Sequence, residues 1–161
     1  MREVGALRLI LVTVVVMVFV FADIPERPGA MVYHFFHVGL LHLAANCIAA
    51  WFAFPPGRKD NLLVAVLSYV IATGAFFAAL TPTVGLSGVL FATAGLRAPS
   101  LRSGWWRQPS SIAFLIAMVA TLFVPKIAAT VHLAAFLAGV LVGGALRLWK
   151  KTSSDYGRVA D

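Results

Sequence analysis

The sequence predicts an all-α integral membrane protein, with six transmembrane helices in one bundle and a short central fourth helix. Three observations lead there. Hydrophobic residues make up 61% of the 161-residue chain, against roughly 45–50% in a soluble domain. Charged residues are only 12%, about half the ordinary share and too few to cover a soluble domain of this size. The apolar residues also fall into stretches parted by short charged or Pro/Gly-rich joints. These features exclude a soluble enzyme, a disordered chain and an ordinary nucleic-acid-binding domain. No repeat, low-complexity segment or linker sets off a second unit, so one membrane domain is expected over 1–161.

The spans are expected at about Gly5–Ala22, Met31–Phe54, Leu62–Leu80, Val84–Leu96, Ser110–Val124 and Ile127–Leu148. An upright helix needs roughly 20 apolar residues to cross a bilayer core, so the fourth and fifth are short. A short fourth helix is stable where its neighbours surround it and its end opens into a polar cavity. The first span has a second reading. Arg2, Arg8, an apolar run and Val20-Phe21-Ala22 also fit a signal peptide cleaved after Ala22, which would leave the other five spans in the same orientation.

Thirteen Lys and Arg against six Asp and Glu give a net charge of +7. With six spans, Arg27 and Lys126 fall on one side of the membrane and the other eleven basic residues on the opposite side. That bias places both termini in the cytoplasm. It also accounts for the basic excess, so no nucleic-acid partner is required. The single cysteine, Cys47, excludes an intrachain disulfide and a multi-cysteine metal site. In an apolar run it reads as a small buried thiol.

Polar side chains deep in apolar helices are costly and tend to mark function. Here they are His34, His37, His42 and Asn46 in span two, Gly85-Leu86-Ser87-Gly88 opening span four, and His132 opening span six above Gly139 and Gly143. No Asp or Glu lies within spans two to six, so transport through buried carboxylates has no candidate residue. Spans two, four and six all run from outside to inside, which puts Ser87, His132, His42 and Asn46 in the outer half of the membrane. His42 and Asn46, four residues apart, share one helix face. His132, Gly139 and Gly143 are separated by near-whole turns, and small residues let helix backbones approach closely. Spans four and six can thus bring Ser87 within reach of His132.

A serine hydroxyl is a weak nucleophile until a neighbouring base accepts its proton, and neutral His132 is a candidate base. Acyl transfer also needs donors where the oxyanion forms. Backbone N–H groups at the start of span four, around Leu86 and Ser87, are suitably unpaired. The Asn46 amide and His42 ring can add side-chain donors. With no buried carboxylate to orient the histidine, the pair would be a Ser–His dyad. Other readings of the same residues are helix packing for the G-x-S-G motif, and an interhelical donor or haem ligand for a lone histidine. Against a metal centre, His37 and His42 would lie about 140° apart around one helix. His34 and His37 are better phased but lack a carboxylate or cysteine partner. No metal and no cofactor are expected.

In combination, His37-x₄-His42-x₃-Asn46, Gly85-Leu86-Ser87-Gly88 and His132 followed by small residues resemble the rhomboid family of intramembrane serine proteases, across nearly the whole chain. The resemblance implies Ser87 as nucleophile, His132 as general base, and His42 and Asn46 as oxyanion donors. His37, Gly85, Gly88, Phe91, Gly139 and Gly143 would support them. It also implies a water-filled cavity opening outward, transmembrane proteins as substrates, and access for their helices sideways from the lipid.

The pattern departs from the family at three places. Ala135 stands where the span-six pattern has its first glycine. Phe91 stands where the family often has Tyr; it can still stack on His132 but offers no hydroxyl. The first outer joint, about Asp23–Ala30, has no room for the long loop with a Trp-Arg pair that many rhomboids carry. In that respect the chain is similar to the compact branch that includes rhombosortases. The expected activity is hydrolysis of a peptide bond in or beside a transmembrane segment. The alternative is a catalytically silent rhomboid-like protein that binds or escorts membrane helices. An unrelated transporter lacks the buried charge or discontinuous helix pair that would support it.

Overall fold

The computed structural model describes residues 3–22, 33–37, 39–54, 58–79, 85–100, 116, 119 and 129–159. Among these residues all regular structure is helical. Helix α1 is Glu3–Phe21, α2 is Leu40–Ala53, α3 is Asn61–Ala79, α4 is Ser87–Arg97 and α5 is Ala129–Val159. Two short 3₁₀ turns, Tyr33–Phe35 and Ala98–Ser100, precede α2 and follow α4.

Among the described residues two stretches, Asn61–Ala78 and Ala129–Ser153, are both long and apolar enough to cross a membrane. Ala6–Phe21 and Leu40–Ala53 are shorter apolar helices. Of span five only Ile116 and Val119 are described, and the Asp23–Ala30 joint lies outside the described residues.

Three boundaries correct the sequence reading. Span two is not one helix: the Tyr33–Phe35 turn ends well before α2 begins, and Gly39 takes an extended conformation at the junction. His34 and His37 satisfy nearby polar groups there and do not join the α2 stripe. Span four begins at Ser87, three residues later than expected, because Gly85 has φ +117° and a helix cannot pass through that conformation. The last helix runs on past Leu148 to Val159. There the Thr152 and Ser153 hydroxyls bond carbonyls one turn back as the hydrogen-bond ladder continues past the apolar segment.

Helix α4 is the core of the protein. From Ser87 to Arg97 every residue is buried except the half-buried Ala94. It packs chiefly on α5 and α3, with α2 on a further side. The outer helices are apolar on the opposite face as well. Leu62, Val66 and Val70 of α3, and Leu133, Leu137 and Leu141 of α5, recur every fourth residue on exposed faces. Such stripes suit lipid tails and would be a liability in water.

The contact between α4 and α5 is made by backbones. A Cβ at Gly139 would lie 2.5 Å from the Ala92 carbonyl oxygen. One at Gly95 would collide with the Phe136 carbonyl, and one at Gly143 with that of Leu96. The fully buried Ala135 shows that its methyl is accommodated at the first small position. Polar ties add to this packing, as expected where water is absent. The Thr93 hydroxyl donates to the Val89 carbonyl at 2.9 Å and is bonded to Ser68 of α3 at 2.8 Å. At the other end of α4, Arg97 donates to Asn61 at 2.7 Å, and Arg147 of α5 donates to the Pro99 carbonyl. In the joint before α3, hydrogen bonds from Arg58 hold the Asp60 carboxyl below the usual carboxylate range. The support this pair gives is present at neutral pH and fades as pH falls through that lowered value.

Candidate active site

The ends of three helices bring the polar residues together. Ser87 is the first residue of α4, His132 lies in the first turn of α5, and His42 in the first turn of α2. Because Gly139 and Gly143 let α5 approach α4 so closely, the Ser87 hydroxyl reaches His132 Nε2 at 2.7 Å. Both residues are buried. With Nε2 as the acceptor, the neutral ring carries its proton on Nδ1, which has no hydrogen-bond partner among the described residues. Phe91, one turn after Ser87, stacks on His132 with ring centroids 4.5 Å apart and planes 11° from parallel. That stack restricts rotation of the imidazole away from the hydroxyl.

Gly85 shapes the approach to the serine. A Cβ there would lie 2.6 Å from His42 Cε1, 2.7 Å from His42 Nε2 and 3.4 Å from Asn46 Nδ2. The bare backbone at Gly85 therefore admits both side chains of α2 to the mouth of α4. Asn46 is buried and its Nδ2 is without a partner among the described residues; both ring nitrogens of His42 are likewise unpartnered. Leu86 holds the N-cap position and offers no side-chain cap. Its carbonyl accepts the first helical bond from Leu90 at 3.1 Å, and the N–H groups of α4's first turn have no helical acceptor. A serine hydroxyl, an imidazole base and a ring of unsatisfied donors thus face one small region. The arrangement can activate an alcohol and stabilise an oxyanion.

His37 lies before α2, and its Nδ1–H donates to the Phe35 carbonyl at 3.2 Å. The helical phase argument that set it 140° from His42 therefore does not apply: the two rings stand 5.0 Å apart. His34 turns away and bonds Thr73 of α3 at 3.1 Å. Gly88 faces Tyr33 and Ala72, where a Cβ would lie 3.3 Å from the Tyr33 hydroxyl.

Sequence reasoning missed Tyr33 and Gly95. The Tyr33 carbonyl accepts from Gly85 N–H at 3.0 Å, and its hydroxyl donates to the Ala72 carbonyl at 3.0 Å. It thereby ties the serine turn to α3, but an aromatic in an apolar run carries no signal of such a role. Gly95 did carry one: with Ala92 it forms a small pair three residues apart, opposite the glycines of α5.

A family profile described as Rhomboid domain matches residues 28–149, most of the chain. The chain belongs to the rhomboid family. Rhomboids are integral membrane proteins and generally intramembrane serine proteases. Comparison with curated proteins and with solved structures returns no match. In this rhomboid the profile spans the Tyr33 turn, α2, α3, α4 and most of α5, and so includes the whole polar constellation.

Proposed function

We propose that this rhomboid is an intramembrane serine endopeptidase that hydrolyses a peptide bond in or near a substrate's transmembrane segment. The observation that carries the reading is the 2.7 Å bond from the Ser87 hydroxyl to His132 Nε2. His132 Nε2 takes the hydroxyl proton as Ser87 Oγ attacks the scissile carbonyl carbon. The carbonyl oxygen becomes an oxyanion, met by backbone N–H groups at Leu86 and Ser87, the Asn46 amide and the His42 ring. Collapse breaks the C–N bond, and His132 returns its proton to the leaving amine. Water then attacks the acyl-enzyme with His132 again as base, which releases the acid and restores the serine.

Among the described residues no carboxylate bonds the dyad histidine; the Phe91 stack supplies orientation in its place. No cofactor takes part. The substrates are transmembrane proteins, which reach Ser87 from the lipid, and the chain is a single domain of six spans. The test is cleavage of a transmembrane reporter by purified protein in a bilayer. Product formed by the intact protein supports the reading, and folded protein that cleaves no transmembrane reporter favours the silent binding scaffold.

Activity should rise with pH through one apparent transition and then level off. The base must be neutral to accept the Ser87 proton, and protonation of His132 at low pH removes it. An ordinary imidazole titrates near ~6.5. A cleavage rate that climbs toward acid would contradict the role of His132.

Tags on both termini should report from the cytoplasm, and one inserted in Asp23–Ala30 from the outside. This follows from the distribution of basic residues, eleven against two. An external C-terminal tag would place Ser87 near the inner leaflet and reverse the side from which substrates approach.

A further inference from the structure

Beside the dyad, the rings of His37 and His42 have the spacing of two imidazoles on one metal ion, and His37 has the hydrogen bond of a ligand. We propose that this pair binds a divalent transition-metal ion of the Zn²⁺ or Cu²⁺ type, and that the bound ion inhibits the protease. The binding stands on the pair itself, whereas the inhibition rests on the protease reading above.

Three observations carry it. First, His37 donates its Nδ1–H to the Phe35 carbonyl, so the neutral ring presents a bare lone pair at Nε2. Metal-ligating histidines almost always anchor their second nitrogen in this way. Second, that lone pair is unused. His37 is 2% exposed, and its Nε2 has no partner among the described residues, nor has either ring nitrogen of His42. Third, the ring centroids are 5.0 Å apart. Two imidazoles bound at about 2.0–2.1 Å to one tetrahedral ion would have centroids separated by about 5 Å.

The ligand chemistry sets both the ion and its role. Imidazole nitrogen suits Zn²⁺ and Cu²⁺, while Mg²⁺ and Ca²⁺ want oxygen. Among the described residues no group of three or more His, Cys, Asp or Glu side chains gathers to hold a metal. The described residues thus offer two ligands, a partial set that suits a reversible inhibitor and not a resident cofactor. An ion shared with His37 fixes the His42 ring, so its N–H can no longer turn freely to meet the oxyanion.

The test titrates Zn²⁺ calorimetrically into detergent-solubilised Ser87→Ala protein, where no proteolysis intervenes. One ion per chain is expected, with binding at least about tenfold weaker when His37→Gln is added, since loss of even an outer partner costs about 10–100-fold. Cys47→Ser should leave binding unchanged. Equal affinity with and without His37→Gln, or loss of binding in Cys47→Ser, would overturn the assignment. Cu²⁺ in the protein with both histidines should give an electron paramagnetic resonance spectrum split by two imidazole nitrogens. A spectrum with one or none overturns it even if His37→Gln does not fold. In the active protein, Zn²⁺ should stop cleavage of the reporter and a chelator should restore it. Ion bound to the pair with cleavage undiminished would overturn the inhibitory half alone.

Discussion

Ser87→Ala should abolish covalent labelling by a fluorophosphonate probe and reduce cleavage of a transmembrane reporter to background. The probe reacts with a serine whose hydroxyl is deprotonated as it attacks, and Ser87 has His132 at 2.7 Å for that purpose. Two other buried hydroxyls near α4, those of Ser68 and Thr93, form a pair bonded to each other at 2.8 Å. They should not label. His132→Ala should slow labelling and cleavage by several orders of magnitude, because the members of a nucleophile–base unit fail nearly as completely singly as together. Asn46→Ala removes one oxyanion donor and should cost about 10²–10³ in rate while leaving residual activity. Mass spectrometry of the labelled peptide reads the site directly. Label found elsewhere, or retained in Ser87→Ala, would show that another nucleophile does the chemistry.

Gly139→Ala should damage the site from a distance, whereas Gly144→Ala should be nearly silent. The two substitutions are chemically identical and sit five residues apart on one helix. A Cβ at Gly139 would lie 2.5 Å from the Ala92 carbonyl oxygen, while one at Gly144 meets nothing within 4 Å. The added methyl at 139 can be housed only by moving α5 away from α4, an overpacking cost of about 1–3 kcal/mol. That same movement separates His132 from Ser87, and a misplacement of about 1 Å can cost 10² in rate. Gly139→Ala should therefore unfold at a lower temperature and label about a hundredfold more slowly. Equal labelling rates in the two variants would mean that the helix contact does not set the dyad distance.

The site residues were legible wherever helical periodicity governs their placement. His42 and Asn46 share a face because they are four apart, and His132 with Gly139 and Gly143 because whole turns separate them. What escaped the sequence depends on breaks in periodicity. Gly39 lies in an apolar run that reads equally well as uninterrupted helix, so the turn at Tyr33–Phe35 and the nearness of His37 to His42 were hidden. The Gly85 turn, too, was recognisable only as part of a motif. Its need for positive φ and for space beside His42 follows from where α2 lies. The extension of α5 to Val159 was missed because hydropathy marks where a helix leaves apolar surroundings, and not where its hydrogen bonds stop.

The brevity of α4 bears on how the protein is made. Eleven residues rise only about 16 Å, roughly half the hydrocarbon thickness. Alone in lipid, such a segment would leave the unpaired backbone groups of both its ends in hydrocarbon. It is therefore a poor independent insertion unit and settles only when α3 and α5 have formed the walls around it. Ser87 gains its base in that same late event, since His132 arrives on α5. On the protease reading, the nascent chain consequently carries an unactivated alcohol until the bundle is complete.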